Sequence, residues 1–322
     1  MMKILITGGS GFIGTNLIDC FLKKQFEVLN IDINPPRKTI HMKLWKQLNI
    51  CDYKLFSKAV SNFNPHFIVH LAAKTDLNGE HISDYEANIK GVENLMEISK
   101  DIPALKRVII ASSMLVCKIG YRPKSFEDYK PNTIYGESKV LTEKIVKKYK
   151  IDWVIVRPTS IWGPWFGAPY KNFFELVLKG YYFNIPKSKS ATKTFGYVKN
   201  TCDQIATLLL TNNKVISKNY FYLGDLEPIN IHEWANMIRN ISGKNRLITF
   251  PLFVLKYGSY FGQLIKDYFK INTPLNKFRY KNMTTDNIIP EMDKLGEIGF
   301  QRTQKIEKNI NETIHWIHSN KS

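Results

Sequence analysis

The stretch MKILITGGSGFIGTNL, residues 2–17, decides the fold. Lys3–Thr7 is a short β-type apolar run, and Gly8-Gly-Ser-Gly-Phe-Ile-Gly14 follows it directly and opens a helical pattern. Gly8 permits a tight turn, Gly11 lets a phosphate group approach the backbone, and Gly14 allows the helix to lie close on the strand. The helix start then offers backbone N–H groups and the positive end of its dipole to an anion. This strand–turn–helix unit reads as a dinucleotide pyrophosphate site.

Working outward, Phe26–Asp32, Gln47–Ile50, Phe67–Leu71, Arg107–Ser112 and Trp153–Arg157 read as further strands. Helical patterns separate them at Phe12–Lys24, Tyr53–Asn62, Asp84–Lys100 and Tyr135–Tyr149. Nearly continuous Val/Ile/Leu strands alternating with helices indicate a parallel sheet covered on both faces, a doubly wound α/β (Rossmann) architecture. The expected division is a dinucleotide-binding domain over 1–165, its sheet completed within 195–225, and a smaller, partly discontinuous mixed α/β substrate region over 166–322. Asp32 ends the second strand. A carboxylate there accepts from the adenosine ribose hydroxyls and repels a 2′-phosphate, so NAD is expected over NADP, although Arg37 and Lys38 follow closely.

The chain has 322 residues and a formal net charge of +18, with 44% hydrophobic and 23% charged residues. The lysines are spread along the chain and form no stripe interleaved with aromatics, so no nucleic-acid partner is expected. A positive field suits an anionic dinucleotide and a diphosphate-bearing substrate. Cys20, Cys51, Cys117 and Cys202 are scattered and read as reduced thiols. No cleavable apolar segment is expected ahead of the first strand, and no window is long enough to span a membrane, so a cytoplasmic protein is expected. The segment 251–271 (PLFVLKYGSYFGQLIKDYFKI) is rich in aromatics with lysines at its edges. It fits packing over a site or dimer seam, contact with a membrane surface, or a lid.

Tyr135 and Lys139 stand one helical turn apart and project from one face. A phenol has an ordinary pKa of about 10. A neighbouring ammonium favours the phenolate and is expected to draw that value toward the working range. Ser112-Ser113 ends the fifth strand, where a hydroxyl faces the ligand crevice and can bond a reacting oxygen.

In combination, GGSGFIG (8–14), Asp32, HLAA (70–73), Asn88 in ANIKG (87–91), Ser112-Ser113, YGESK (135–139) and RPTSIWGP (157–164) resemble the extended short-chain dehydrogenases/reductases, most closely the NAD-dependent nucleotide-sugar epimerase/dehydratase enzymes. The resemblance spans about residues 3–200 and thins to FGYVKN (195–200) beyond. It implies that Gly8, Gly11, Phe12, Ile13 and Gly14 hold the pyrophosphate, that Asp32 takes the ribose, and that Asn49 and Ile50 lie at the adenine. Asn49 departs from the family's usual Asp there, and Asp52 reads as the N-cap of the next helix. Leu71, Ala72, Ala73 and Pro158 would line the cofactor crevice, with Asn88 supporting it. Ser113, Tyr135 and Lys139 would be the catalytic set, with Tyr135 and Lys139 also touching the cofactor. Thr75, Ser113, Ser160, Asn172, Lys193, Tyr197 and Arg279 would face the substrate, Lys193 and Arg279 meeting its diphosphate. Cys117 and Ser160 stand where the family usually has a tyrosine and an asparagine. A homodimer through the helices bearing Asn88 and Tyr135 is also implied.

The reaction narrows by what is missing. A 4,6-dehydratase of this type needs carboxylates at the positions of Met114 and Leu115, and neither residue transfers protons. Redox at C4 of a nucleotide-linked sugar remains, as a 4-epimerase first and a 4-ketosugar reductase second. A reductase of apolar substrates, resembling the 3β-hydroxysteroid and dihydroflavonol types, and a non-catalytic cofactor-binding protein stay open. His66 and His70 read as packing residues, and no metal site is expected.

Overall fold

The computed structural model describes residues 1–211, 215–225, 227–269, 273, 275–290, 293, 295–298, 300 and 305–320. In chain order the strands are β1 (Lys3–Thr7), β2 (Glu27–Asp32), β3 (Trp45–Gln47), β4 (Phe67–His70), β5 (Arg107–Ala111), β6 (Trp153–Pro158), β7 (Ser160–Trp162), β8 (Thr192–Lys193), β9 (Phe195–Tyr197), β10 (Asn219–Leu223) and β11 (Ile229–Asn230). The α-helices are α1 (Phe12–Lys23), α2 (Tyr53–Phe63), α3 (Glu86–Ser99), α4 (Ile134–Val146), α5 (Tyr170–Lys179), α6 (Val198–Leu210), α7 (Ile231–Ile241), α8 (Leu252–Phe269), α9 (Lys277–Thr284) and α10 (Ile306–Ser319).

Seven strands pair in parallel in the order β10-β6-β5-β4-β1-β2-β3. Alternation along β1 explains the two covered faces. Ile4 and Ile6 pack with Leu17, Ile18 and Phe21 of α1 and Ile205, Leu208 and Leu209 of α6. Leu5 points the other way, to the core holding Phe56 and Val60 of α2 and Val92, Leu95 and Met96 of α3. Burying each such side chain contributes about 1.5–3 kcal/mol. The strand order reverses between β1 and β4, so the loops after these two strands part and leave a crevice at the carboxyl edge. A third core, around Trp162, Phe174, Tyr197, Trp234 and Ile310, lies beyond that edge. It joins α5, α7 and α10 to the paired strands β7–β9.

One strand boundary is corrected. Gln47–Ile50 is not a strand; the edge strand is Trp45–Gln47, with Trp45 opposite Asn30. Leu48 and Ile50 are both buried in the α2/α3 core, which produced the strand-like alternation. Pairing stops as Asn49 Oδ1 accepts the Cys51 N–H at 3.0 Å and Asp52 caps α2 through the Leu55 N–H. The four cysteines are free thiols. Residues 270 and 271 of the aromatic segment lie outside the described residues.

Candidate functional site

The glycine turn fits an anionic ligand. Gly8 has φ +74°, and a Cβ there would sit 2.5 Å from the Ala72 nitrogen, so the turn after β1 and the strand end after β4 touch backbone to backbone. A Cβ on Gly14 would lie 2.4 Å from the Gly8 carbonyl oxygen. Gly11 is the N-cap of α1; no side chain caps it, and the first turn carries no acidic residue. The helix start thus leaves its first backbone N–H groups to an anion from outside the chain. At the far end of the turn, Asp32 is fixed by the Ser10 N–H to Oδ2 (3.0 Å) and the Asn34 N–H to Oδ1 (2.9 Å). Arg37 Nε donates to the Ser10 carbonyl at 3.2 Å, which puts a guanidinium on the same edge.

Around the crevice the other expected cofactor residues divide. Leu71 donates its N–H to the Thr7 carbonyl at 3.0 Å, and Leu71, Ala72 and Ala73 are half-buried at the β4 end. Pro158 ends β6, half-buried. Asn49 Oδ1 is engaged by Cys51, and Ile50 packs under α3, where a Cβ on Gly91 would lie 2.3 Å from its Cδ1. Asn88 acts on the neighbouring loop. Its Oδ1 accepts the Lys74 N–H at 2.7 Å, and its Nδ2 donates to the Lys74 carbonyl at 3.0 Å and to Ser138 Oγ at 3.2 Å. It ties the segment after β4 to α4, one residue before Lys139. Thr75, in that segment, is exposed.

Ser113, Tyr135 and Lys139 come together. Thr133 caps α4 through the Gly136 N–H, and a Cβ on Gly136 would lie 2.4 Å from the Leu115 carbonyl oxygen. That glycine lets the first turn of α4 rest against the segment following Ser113, which brings the Ser113 hydroxyl to bear on the Tyr135 phenol. Ser113 Oγ also accepts the Leu115 N–H at 3.1 Å. Lys139 Nζ donates to the Ala111 carbonyl at 2.8 Å and lies 5.9 Å from the Tyr135 ring centroid.

The electrostatics of the pair overturn one expectation. Burial pushes the Tyr135 phenol up to about 12, with the Ser113 hydroxyl pulling it down and Tyr85, its ring 5.9 Å away, adding to the rise. Burial also holds Lys139 down at about 8, Glu143 opposing the fall. The fold alone therefore favours the neutral phenol. Desolvation sets the shift, and the ammonium one turn away is aimed at a backbone carbonyl.

Two supports were not apparent in the sequence. Behind Ser113, Glu143 accepts from Ser112 Oγ, from Tyr129 Oη at 2.9 Å, and from Arg157 Nε and Nη2 at 2.9 and 2.7 Å. The Arg157–Glu143 pair is fully buried, and Arg157 Nη1 donates to Tyr222 Oη at 3.0 Å. Ser112 is thereby committed to the core, leaving Ser113 as the hydroxyl at the crevice. His70, also buried, lies 2.7 Å through Nδ1 from Thr7 Oγ1. Burial, then the Lys139 charge, holds it near 3, so it is a neutral spacer under the lysine.

Beyond the sheet edge a cavity of about 130 Å³ is lined by aromatics including Tyr170, Phe173, Phe195 and Trp234. Asn172, Lys193 and Arg279, expected at the substrate, all line it. Lys193 is 3% exposed, bonds Asn282 Oδ1 through Nζ, and is held at about 8 by burial, with Asp286 opposing. Asn287 links the strand that carries Lys193 to the segment after Ser113. It exchanges backbone hydrogen bonds with Thr192 and Thr194 on either side of Lys193, and its Nδ2 donates to Met114 Sδ at 3.2 Å. Nothing in the spacing of the sequence pointed to it. Ser160 stands beside the half-buried Tyr170.

Tyr197 is a correction. Its ring packs 5.1 Å from Trp162 in the third core, and Oη donates to Glu312 at 2.7 Å. Tyr197 ends β9 and is the N-cap of α6, so the chain turns away from the cavity that Lys193 and Phe195 line.

The sequence profile of the NAD dependent epimerase/dehydratase family matches residues 4–224. The chain is 28% identical over 261 residues to the 3 beta-hydroxysteroid dehydrogenase/Delta 5-->4-isomerase of Mycobacterium tuberculosis, covering 75% of this chain and 70% of that one. It is 26% identical over 256 residues to the UDP-glucose 4-epimerase of Vibrio cholerae, covering 74% and 75%. The UDP-glucose 4-epimerase of Thermotoga maritima, solved with UDP-glucose, superposes over the full length of both chains with a TM-score of 0.76 at 19% identity.

Proposed function

Because the chain belongs to the NAD dependent epimerase/dehydratase family, we propose that it carries out oxidation and reduction at C4 of a nucleotide-linked sugar, as a 4-epimerase that uses NAD. The observation that carries the choice of substrate is the cavity. Lys193 and Arg279 stand on the wall of an otherwise largely aromatic chamber. Burying an ammonium is costly unless an anion meets it. A diphosphate at the two cations with a flat base among the rings satisfies both linings at once. The Mycobacterium tuberculosis relative favours a second reading, an apolar alcohol seated among the same rings. Such a ligand leaves Lys193 with only Asn282 and the nearby Asp286 charge and brings no anion into the chamber, and the first reading is preferred for that reason.

In this reading the α1 start holds the pyrophosphate and Asp32 the adenosine ribose. Bound there, the nicotinamide supplies a hydride acceptor and donor. Ser113 Oγ holds the C4 oxygen. Tyr135 takes the C4 hydroxyl proton as the C4 hydride leaves, and returns it to the oxygen once the hydride has come back on the other face of the ketone. Tyr135, held at about 12 by the fold alone, would be lowered by the positive charge of a bound nicotinamide, a bias that burial makes large because the local dielectric is low. Lys139 holds the nicotinamide ribose and adds to that bias.

The test is turnover with UDP-, dTDP-, GDP- and CDP-linked hexoses in the presence of NAD, with products resolved by C4 configuration. A C4 epimer supports the proposal. Turnover of a sterol with none of the nucleotide sugars gives the second reading instead.

A further inference from the structure

Helix α8 is built inside out. Its inner face is small: Ser259 and Gly262 are buried with Leu255, and a Cβ on Gly262 would lie 1.9 Å from the Leu275 carbonyl oxygen. Its outer face carries the large apolar side chains. Phe253, Tyr257, Phe261 and Tyr268 are 62%, 71%, 67% and 79% exposed, with Tyr260 and Leu264 between them. Their spacing by three and four residues makes one continuous stripe. A water-facing helix has the opposite arrangement, and a stripe of this kind marks an interaction surface.

We propose that α8 docks the protein on the anionic surface of a lipid bilayer, its aromatic stripe entering the headgroup region. Phenylalanine and tyrosine side by side suit a boundary that is apolar on one side and wet on the other. Exposed lysines flank the stripe: Lys256 on α8, and Lys277 and Lys281 on α9, which packs against it. Lys277 Nζ lies 4.7 Å from the Tyr260 ring centroid, so a cation rides at the aromatic edge. Asp267, the acidic residue of the helix, is engaged by Gln263 Nε2 at 2.8 Å. The whole chain carries +18. A second copy seated on the same face would set these lysines against their equivalents within two strongly positive molecules. Anionic headgroups complement them instead. The contact is interfacial, because among the described residues no helix is long and apolar enough to cross a membrane. Leu275, on which Gly262 rests, also lines the cavity, so the bilayer face adjoins the chamber wall.

The experiment is co-sedimentation of the full chain with vesicles of phosphatidylcholine alone and of phosphatidylcholine mixed with phosphatidylglycerol, read without any turnover assay so that its outcome is independent of the catalytic reading. Partitioning should be about tenfold stronger on the anionic vesicles and should weaken with salt. Phe261→Ser with Tyr268→Ser should lower it about tenfold on both. Lys277→Glu with Lys281→Glu, on a different helix and with the aromatic stripe intact, should remove the anionic preference. Wild-type protein that stays in the supernatant with anionic vesicles, or binding that survives both pairs of substitutions, overturns the proposal. So does a vesicle-free dimer, seen by sedimentation velocity, that the aromatic pair dissociates, because it gives the face to a second copy.

Discussion

Replacing Lys193 with methionine separates the cost of the cavity from its use. The ammonium, ordinarily at 10.5, is held at about 8 by burial. At about 1.4 kcal/mol per pKa unit, keeping it charged at pH 7 costs the fold roughly 3 kcal/mol. Methionine fills a similar volume without that charge, but it forfeits the Nζ bond to Asn282, a charged hydrogen bond of about 1.5–3 kcal/mol. The net expectation for Lys193→Met is a stability equal to wild type or higher by up to about 2 kcal/mol, which raises the melting midpoint by a few degrees. The sign in pH follows. The folded lysine releases its proton near 8 and the unfolded one near 10.5, so wild-type stability rises between those values, and the variant lacks that rise. Ligand binding should move the other way. Losing the cation to the diphosphate weakens UDP or UDP-sugar binding by about 10- to 100-fold. Differential scanning fluorimetry from pH 7 to above 10, with calorimetric titration of UDP, reads both. A variant that melts several degrees lower while binding UDP as tightly as wild type refutes the reasoning.

Four further outcomes follow from the same geometry. Asp32→Ser should shift cofactor preference toward NADP by about tenfold or more, since the fixed carboxylate is gone and Arg37 remains on the edge; the ratio of kcat/KM values for the two cofactors measures it. Arg157→Met should destabilise the fold by about 3–5 kcal/mol in chemical denaturation, because it leaves the Glu143 carboxylate buried without its cation. Lys139, held at about 8, should make kcat/KM fall as pH rises through that region, and Lys139→Met should abolish that limb as it lowers the rate. Gly14→Ala should prevent dinucleotide binding in a fluorescence titration, since the added methyl meets the Gly8 carbonyl.

The glycine turn and the approach of Ser113, Tyr135 and Lys139 to one another were legible because their signals are local. A glycine turn at a strand end, a serine just past β5 and a Tyr/Lys pair on one helical face each occupy a few consecutive residues, and the parallel sheet that the strand pattern implies sets them at one edge. Lys193 and Arg279 were recognisable as residue types, but their meeting in one chamber is made by β8 and α9, far apart in the chain. Tyr197 was set at the substrate by the resemblance, whereas its direction is decided by Glu312, on the last helix. The phenol was expected to be lowered because sequence shows its charged neighbour and hides its burial. Arg157, Glu143 and Asn287 left no local trace: each works through partners brought close only by packing.

The most direct measurement compares Tyr135→Phe with wild type for NAD affinity and for single-turnover hydride transfer with a nucleotide sugar. Dinucleotide binding should stay within about threefold, while hydride transfer falls by about 100- to 10,000-fold for want of a proton acceptor. A variant that binds NAD normally and transfers hydride at the wild-type rate would contradict the account.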